Sequence, residues 1–444
     1  MLISFTFDNV LSFRDKTTLD LTPTRGKKYP KHVLTHPGDK RVKALRFAAI
    51  FGANASGKSN LVKALEHLRK VVFSGERSNS KELTGVRFAL DDGSAKKPQS
   101  FDVSFSVGES LYTYRISVTD VRITREELFL ERGTKSLPVF RRVNEEPIEV
   151  FPEFGEQEKR TGVEMLLKGI RPSETVLSFC QQRGSPAVDQ ACAWLSEQFC
   201  PISDAPSLES LIRTSPEFLS FLSYGISKTD AGIQSVQLKK EAKRILPPDP
   251  SKVQEISDFF SGAQPLPMSL MKTAFRELGA IEGIRINAKT GEIEISAFAF
   301  AHRGAGGKSY DFTKQQESDG TVHVLDLLRF CFLARSNDFT FIVDELDASL
   351  HSLLAVWYLK LFSQECNKTG TRSQIIFTSH DTAILNPQPI RDDEIWFTEK
   401  GDDGASKLFP LTDFDLPDNL NRRKSYLEGR FGAVPYLICP EDEE

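Results

Sequence analysis

F-G-A-N-A-S-G-K-S-N, residues Phe51 to Asn60, is the stretch on which the reading of this chain turns. Gly52, Gly57, Lys58 and Ser59 fit G-x-x-x-x-G-K-[ST] without a mismatch. In such a loop the glycines let the backbone curl until successive N–H groups converge on a β-phosphate. Lys58 reaches the β/γ oxygens, and Ser59 offers its hydroxyl to Mg²⁺. Gly52, Ala53, Asn54, Ala55, Ser56, Gly57, Lys58, Ser59 and Asn60 are therefore the candidate nucleotide-binding set, with ATP and Mg²⁺ as the expected cofactors. The context agrees. Lys43 to Phe51 reads as a strand running into the loop, and Leu61, Leu65, Leu68 and Val72 recur at helical spacing after it. That helix adds its N-terminal dipole to the phosphate site.

The remainder of the chain limits the function classes. At 444 residues it holds two or three domain-sized units, and its net charge of -4 gives no global basic field for nucleic acid. Local basic clusters exist at Arg25, Lys27, Lys28 and Lys31; at Lys239, Lys240, Lys243 and Arg244; and at Arg422, Arg423 and Lys424. Each reads first as a solvated face, though a stripe of them could hold DNA. Six cysteines are scattered with no C-x-x-C pair, as in a reducing compartment. The opening M-L-I-S-F-T-F alternates like a strand rather than a signal segment, and no apolar run reaches membrane-spanning length. The expectation is a cytoplasmic protein without a membrane partner.

Along the chain, I-S-F-T-F and T-T-L-D-L predict an N-terminal hairpin or meander. Phe88 to Val143 predicts antiparallel strands, with a hairpin loop at Gly108-Glu109. Between Pro186 and Gly279 the period turns helical. Val188, Cys192, Leu195 and Phe199 form one stripe, Phe218, Leu219 and Leu222 another, and Met268 to Leu278 a third helix, with a proline loop at Pro247, Pro248 and Pro250. Strands resume over Ile284 to Phe300, turning at Lys289-Thr290-Gly291, and a glycine-rich loop and a helix over Asp319 to Ala334 follow.

Three more passages carry chemistry. F-T-F-I-V-D-E-L-D-A-S-L-H, Phe339 to His351, is a continuous apolar strand that delivers Asp344 to its carboxyl end, where it can hold Mg²⁺. Glu345, one residue on, is placed to polarise an attacking water. S-Q-I-I-F-T-S-H-D puts His380 just after a second buried strand, where it can contact a γ-phosphate. Q-E-S-D-G-T, Gln316 to Thr321, precedes a helix; Ser318 can cap that helix or turn its hydroxyl to a phosphate.

In this order the passages resemble the ABC-type ATPase head of the SMC and RecF proteins, with Ser318 and Gly320 in the signature and Asp347 to His351 as the D-loop. The resemblance implies an α/β fold: an ABC-type P-loop ATPase head, with a mixed β-sheet lobe and a parallel-sheet core, a helical lid insertion and no coiled coil. It divides the chain into an N-terminal lobe (1–185), a helical lid (186–282) and a C-terminal lobe (283–444). It also implies Lys58, Glu345 and His380 as catalytic residues, Ser59 and Asp344 as metal ligands, and Gln181 or Gln182 as the Q-loop glutamine at the end of a strand-like L-S-F-C-Q-Q. In that family two heads bind ATP head-to-tail, each signature serine capping the partner's γ-phosphate, so self-assembly into such a dimer or multiples of it is expected. The signature departs from L-S-G-G-[QE], reading E-S-D-G-T.

Transporter ATPases have a far shorter gap than Gly57 to Ser318, and SMC proteins fill it with heptads that are missing here. D-E-L-D-A-S-L-H, E-S-D-G-T, D-E-I-W-F-T-E-K (Asp393 to Lys400) and Y-L-E-G-R-F-G-A-V-P (Tyr426 to Pro435) resemble one bacterial branch more closely. It comprises stand-alone ATPases related to the ATPase part of OLD nucleases, including RloA-like proteins and the AriA subunit of the PARIS phage-defence system. That resemblance implies a regulatory ATPase paired with a separate effector, a toxin or TOPRIM-type nuclease, with a phage-encoded protein as a candidate trigger. The segment after His380 is too short for a nuclease domain of its own. Asp392-Asp393 and Asp402-Asp403 could be imagined as metal ligands, but the second pair sits in G-D-D-G and reads as a solvated turn. The alternative is a RecF-like repair or recombination ATPase that binds DNA.

Overall fold

Within the strand Leu2–Asp8, period-two alternation from Ser4 onward sends Phe5 and Phe7 into a core while Ser4 and Thr6 stay at its margin, and a register shift between Leu2 and Ser4 lets Leu2 be buried as well. The computed structural model describes this strand within residues 1–26, 28–73, 86–229, 231–244, 283–287, 292–386, 389–417 and 420–435. The described residues divide into two units. The first takes Met1–Ala205, Leu333–Asp347 and the described part of Ala355–Glu444; the second takes the described parts of Pro206–Phe332 together with Ala348–Leu354.

The first unit holds two large sheets. One is antiparallel throughout, in the order Glu149–Val150, Lys135–Val143, Ile123–Arg132, Ser110–Val118, Gln99–Val107, Leu2–Asp8, Thr17–Asp20. Its Val107 and Ser110 pair across the expected turn, with Gly108 at φ 56°. The other runs Phe199–Pro201, Thr340–Val343, Gln374–Thr378, Phe47–Phe51, Ile395–Lys400, Ser406–Pro410. Its strands are parallel except the last. Phe47–Phe51, Thr340–Val343 and Gln374–Thr378 are buried along their whole length, as continuous apolar strands inside a parallel sheet must be.

Gln374 joins the two sheets. Its amide nitrogen donates to the Leu2 and Leu45 carbonyls at 2.9 and 2.8 Å, and its amide oxygen accepts from the Leu2 N–H at 2.6 Å. Leu61, Leu65 and Leu68 of the helix Lys58–Phe73 complete the core with Phe105 and Trp194, whose rings stack 4.2 Å apart.

In the second unit Glu292–Arg303 pairs with Ile233–Arg244, Gly283–Asn287 and Ser309–Thr313, each antiparallel. The helices Leu208–Thr214 and Glu217–Ile226 belong to it, and Phe218 packs on Phe332, with ring centroids 4.7 Å apart.

Three expectations are corrected. The stretch from Pro186 to Gly279 is not helical throughout: Ile233–Arg244 is a strand, and a register shift between Ile233 and Ser235 interrupts the alternation that would have marked it. The divisions after residues 185 and 282 do not match the two units, because Phe199–Pro201 pairs with Thr340–Val343 and keeps 186–205 in the first unit. Third, L-S-F-C-Q-Q is no strand end. Val176–Phe179 is a short helix capped by Thr175, and the buried Glu126 carboxylate accepts the Val176 and Leu177 N–H groups at 2.7 and 2.9 Å. The expected helix Met268 to Leu278, the proline loop and the turn at Lys289 lie outside the described residues. The longest described helix, Ser352–Thr369, has 18 residues, and no described helix is long and apolar enough to cross a membrane.

Candidate functional site

The phosphate loop leaves the buried strand Phe47–Phe51 and closes into the helix Lys58–Phe73. Ala55 has φ 61° and Gly57 φ 116°, the left-handed conformations that fold the loop back on itself. A Cβ at Gly57 would collide with the Ser406 side chain, so only glycine fits there. Lys58, 6% exposed, donates from Nζ to the Gly52 and Ala53 carbonyls at 2.8 and 2.9 Å. Burial pulls its pKa down, while Asp344, Glu345 and Asp347 oppose that shift. Asn54 and Ala55 are exposed, and Ser59 is half-buried.

Residues from distant parts of the chain brace this loop. Ser56 Oγ and Thr398 Oγ1 lie 2.7 Å apart. Asn60 Nδ2 donates to Ser12 Oγ at 2.8 Å, and Ser406 Oγ donates to the same oxygen at 2.8 Å. Ser12, Thr398 and Ser406 did not emerge from sequence reasoning. Each is a single small hydroxyl residue, with no pattern to set it apart.

Asp344 and Glu345 follow the strand Thr340–Val343. Thr378, at the end of the neighbouring strand, donates its hydroxyl to Asp344 Oδ1 at 2.6 Å and accepts the Glu345 N–H at 2.7 Å. The Leu346 N–H bonds the Thr378 carbonyl at 3.0 Å, and the His380 N–H donates to Asp347 Oδ2 at 3.2 Å. Residues 344–347 are thus tied to 378–380 beyond the last ladder pair, Val343 with Phe377, by one backbone bond and three that use side chains. Glu345 has φ 52°, in the left-handed region, and is exposed. Asp347 Oδ1 is buried with no hydrogen-bond partner. The first unit therefore assembles Lys58, Ser59, Asp344, Glu345 and His380 on loops at the carboxyl ends of adjacent parallel strands, the place where open α/β sheets bind ligands. The donor set fits a nucleotide with Mg²⁺: loop amides, one ammonium, a hydroxyl and a carboxylate with Oδ2 to spare.

The second unit carries the signature residues. Ser318 Oγ accepts the Thr321 N–H at 3.1 Å and caps the helix Asp319–Leu333, yet the residue is exposed. Gly320 lies so close to the Ser349 carbonyl that a Cβ would strike it, and Ser349 itself has φ 57°.

The other candidates fall outside this constellation. Gln181 and Gln182 are exposed in the turn after Val176–Phe179. Asp393 is buried in a pair with Arg391 at 2.7 Å, Asp392 pairs with Arg422, and Asp403 pairs with Arg14 at 2.8 Å, so these three carboxylates are engaged in ion pairs. Arg422, from one basic cluster, turns inward to Asp392 and the Ile390 carbonyl. Lys239 pairs with Asp311 at 2.8 Å, and Lys27 lies outside the described residues. Among the described residues no group of three or more His, Cys, Asp or Glu could hold a metal ion.

A family model described as "AAA domain, putative AbiEii toxin, Type IV TA system" matches residues 47–386. No curated protein matches the chain. Among solved structures, a SmcHead bound to the C-winged helix domain of ScpA aligns at 15% identity and TM-score 0.42, over 92% of this chain and 96% of that one. The SMC head domain from Thermotoga maritima aligns at 12% and 0.38, over 94% and 99%. An Smc head domain with an extended coiled coil, bound to the C-terminal domain of ScpA derived from Pyrococcus furiosus, aligns at 13% and 0.40, over 93% and 97%.

Proposed function

This chain belongs to the AAA-domain family whose model it matches, a nucleotide-binding P-loop class, and from that premise we propose that it is a Mg²⁺-dependent regulatory ATPase. It binds ATP, hydrolyses it slowly, assembles head-to-tail and controls a separate effector in bacterial anti-phage defence. The observation that carries the ATPase half is the set of hydrogen bonds tying 344–347 to 378–380, which brings Asp344 and Glu345, just past the end of Thr340–Val343, beside the segment that leads from Gln374–Thr378 to His380. The buried Lys58, whose ammonium form is favoured by Asp344, Glu345 and Asp347, supports it.

Assembly is supported by Ser318, an exposed hydroxyl at a helix N-terminus, where a partner's γ-phosphate would meet both the side chain and the helix dipole. The effector half draws on the family's description, which names a toxin and a toxin–antitoxin system, and on the resemblance to stand-alone defence ATPases.

The test is a pull-down of the Glu345→Gln protein, with ATP and Mg²⁺, from cells carrying its native neighbouring genes. The expected result is a stoichiometric protein partner with little nucleic acid. Capture of DNA alone would instead favour the RecF-like alternative, in which the basic residues face phosphates; the inward turn of Arg422 weighs against that reading. Growth arrest caused by this chain alone, with no partner, would make the chain itself the toxin.

A further inference from the structure

We infer that Thr378 is a positioning residue that sets the metal-binding carboxylate and the water-polarising residue with one hydroxyl, a role that rests on the ATPase reading and refines it. Thr378 is fully buried at the end of Gln374–Thr378, where Ile375, Ile376 and Phe377 precede it. Nothing about core packing calls for a hydroxyl there.

Its bonding directions are determined. The Glu345 N–H can only donate, so the hydroxyl oxygen accepts, and the hydroxyl proton is committed to Asp344 Oδ1. That second bond is charge-assisted and fixes the rotation of the carboxylate, leaving Oδ2 for a cation or its water. The first bond holds Glu345 at φ 52°, a left-handed conformation that a non-glycine residue keeps only when its surroundings enforce it. The Thr378 carbonyl grips the next amide, Leu346, at 3.0 Å. Metal loading and water activation are thus tied to a single oxygen, and its removal loosens both.

Thr378→Val tests this, because valine keeps the β-branched shape that suits a buried strand and deletes only the hydroxyl. Turnover is expected to fall about tenfold to a hundredfold, the range for losing a buried hydrogen bond to a charged group. The Mg²⁺ dependence should move to higher concentration, while KM for ATP stays near wild type because Lys58 and the loop amides are untouched. Thr378→Ser should restore most of the loss. A role in stability alone would lower the Tm and leave the Mg²⁺ dependence unmoved, and that result overturns the proposal.

A second readout does not need turnover. Mn²⁺ binding to the protein with a non-hydrolysable ATP analogue, followed by electron paramagnetic resonance, should weaken about tenfold in Thr378→Val. Unchanged Mn²⁺ affinity overturns the positioning role even in an active enzyme. A wild-type protein that fails to hydrolyse ATP overturns the ATPase reading and leaves this binding measurement to decide Thr378.

Discussion

The Lys58 ammonium lies 2.8 Å from the Gly52 carbonyl oxygen, bonded across its own loop, with the Ala53 carbonyl at 2.9 Å. A buried cation so placed holds the loop in its curled form and keeps a positive charge where a β/γ-phosphate arrives. Lys58→Ala should weaken ATP binding at least about tenfold, and up to about a hundredfold, by the usual worth of charged hydrogen bonds. Titration with a fluorescent ATP analogue measures this. A matching circular dichroism spectrum would show that the loss is not one of fold.

Glu345→Gln leaves the loop and Asp344 intact and removes the carboxylate that would polarise water. Binding should persist while turnover drops about 10²- to 10⁴-fold, the usual contribution of a general base. Light scattering with ATP and Mg²⁺ should show an assembled species that wild-type protein loses as it hydrolyses. Turnover at the wild-type rate would remove Glu345 from that role.

Ser318 has two possible duties that substitutions separate. Ser318→Ala removes the cap on Asp319–Leu333 and should cost about 1 kcal/mol of stability. Ser318→Asp keeps a capping oxygen but presents a negative charge to an incoming phosphate. It should melt like wild type and fail to assemble with ATP. A Ser318→Asp protein that assembles normally would leave the serine as a cap only.

Cys180 and Cys192 are buried, and burial pushes each thiol up to about 12. In the unfolded chain they ionise near the ordinary value of 9.0. The unfolded state therefore sheds protons first as pH rises, and stability falls above about pH 9. Urea midpoints at about pH 8 and about pH 9.5 should differ in that sense. Iodoacetamide at the lower pH should leave both cysteines unmodified in native protein and label them in urea, as peptide mass spectrometry would record.

Much of the site is legible in the sequence because its elements are local and dense in signal. The phosphate loop is one contiguous motif between a strand and a helix. Phe341 to Val343 and Ile375 to Phe377 announce buried parallel strands by their apolar runs, and Asp344, Glu345 and His380 sit just past the ends of those strands. What escapes depends on partners far along the chain. Thr378 matters because of a carboxylate 34 residues away, and Thr398 because of Ser56, 342 residues away. Val176–Phe179 becomes helical under the local Thr175 cap and a buried glutamate 50 residues away, a contact that no short window contains. Ile233–Arg244 hides its alternation behind a bulge and a run of charges.

The head-to-tail site is the central claim, and complementation between two dead variants tests it most directly. Lys58→Ala and Ser318→Asp proteins, each purified, should hydrolyse ATP at background rates alone. Mixed in equal amounts, they form pairs in which the intact phosphate loop of one faces the intact signature of the other, and turnover should reappear. A mixture as inactive as its components, with both proteins folded, would contradict a site shared between two copies of this chain.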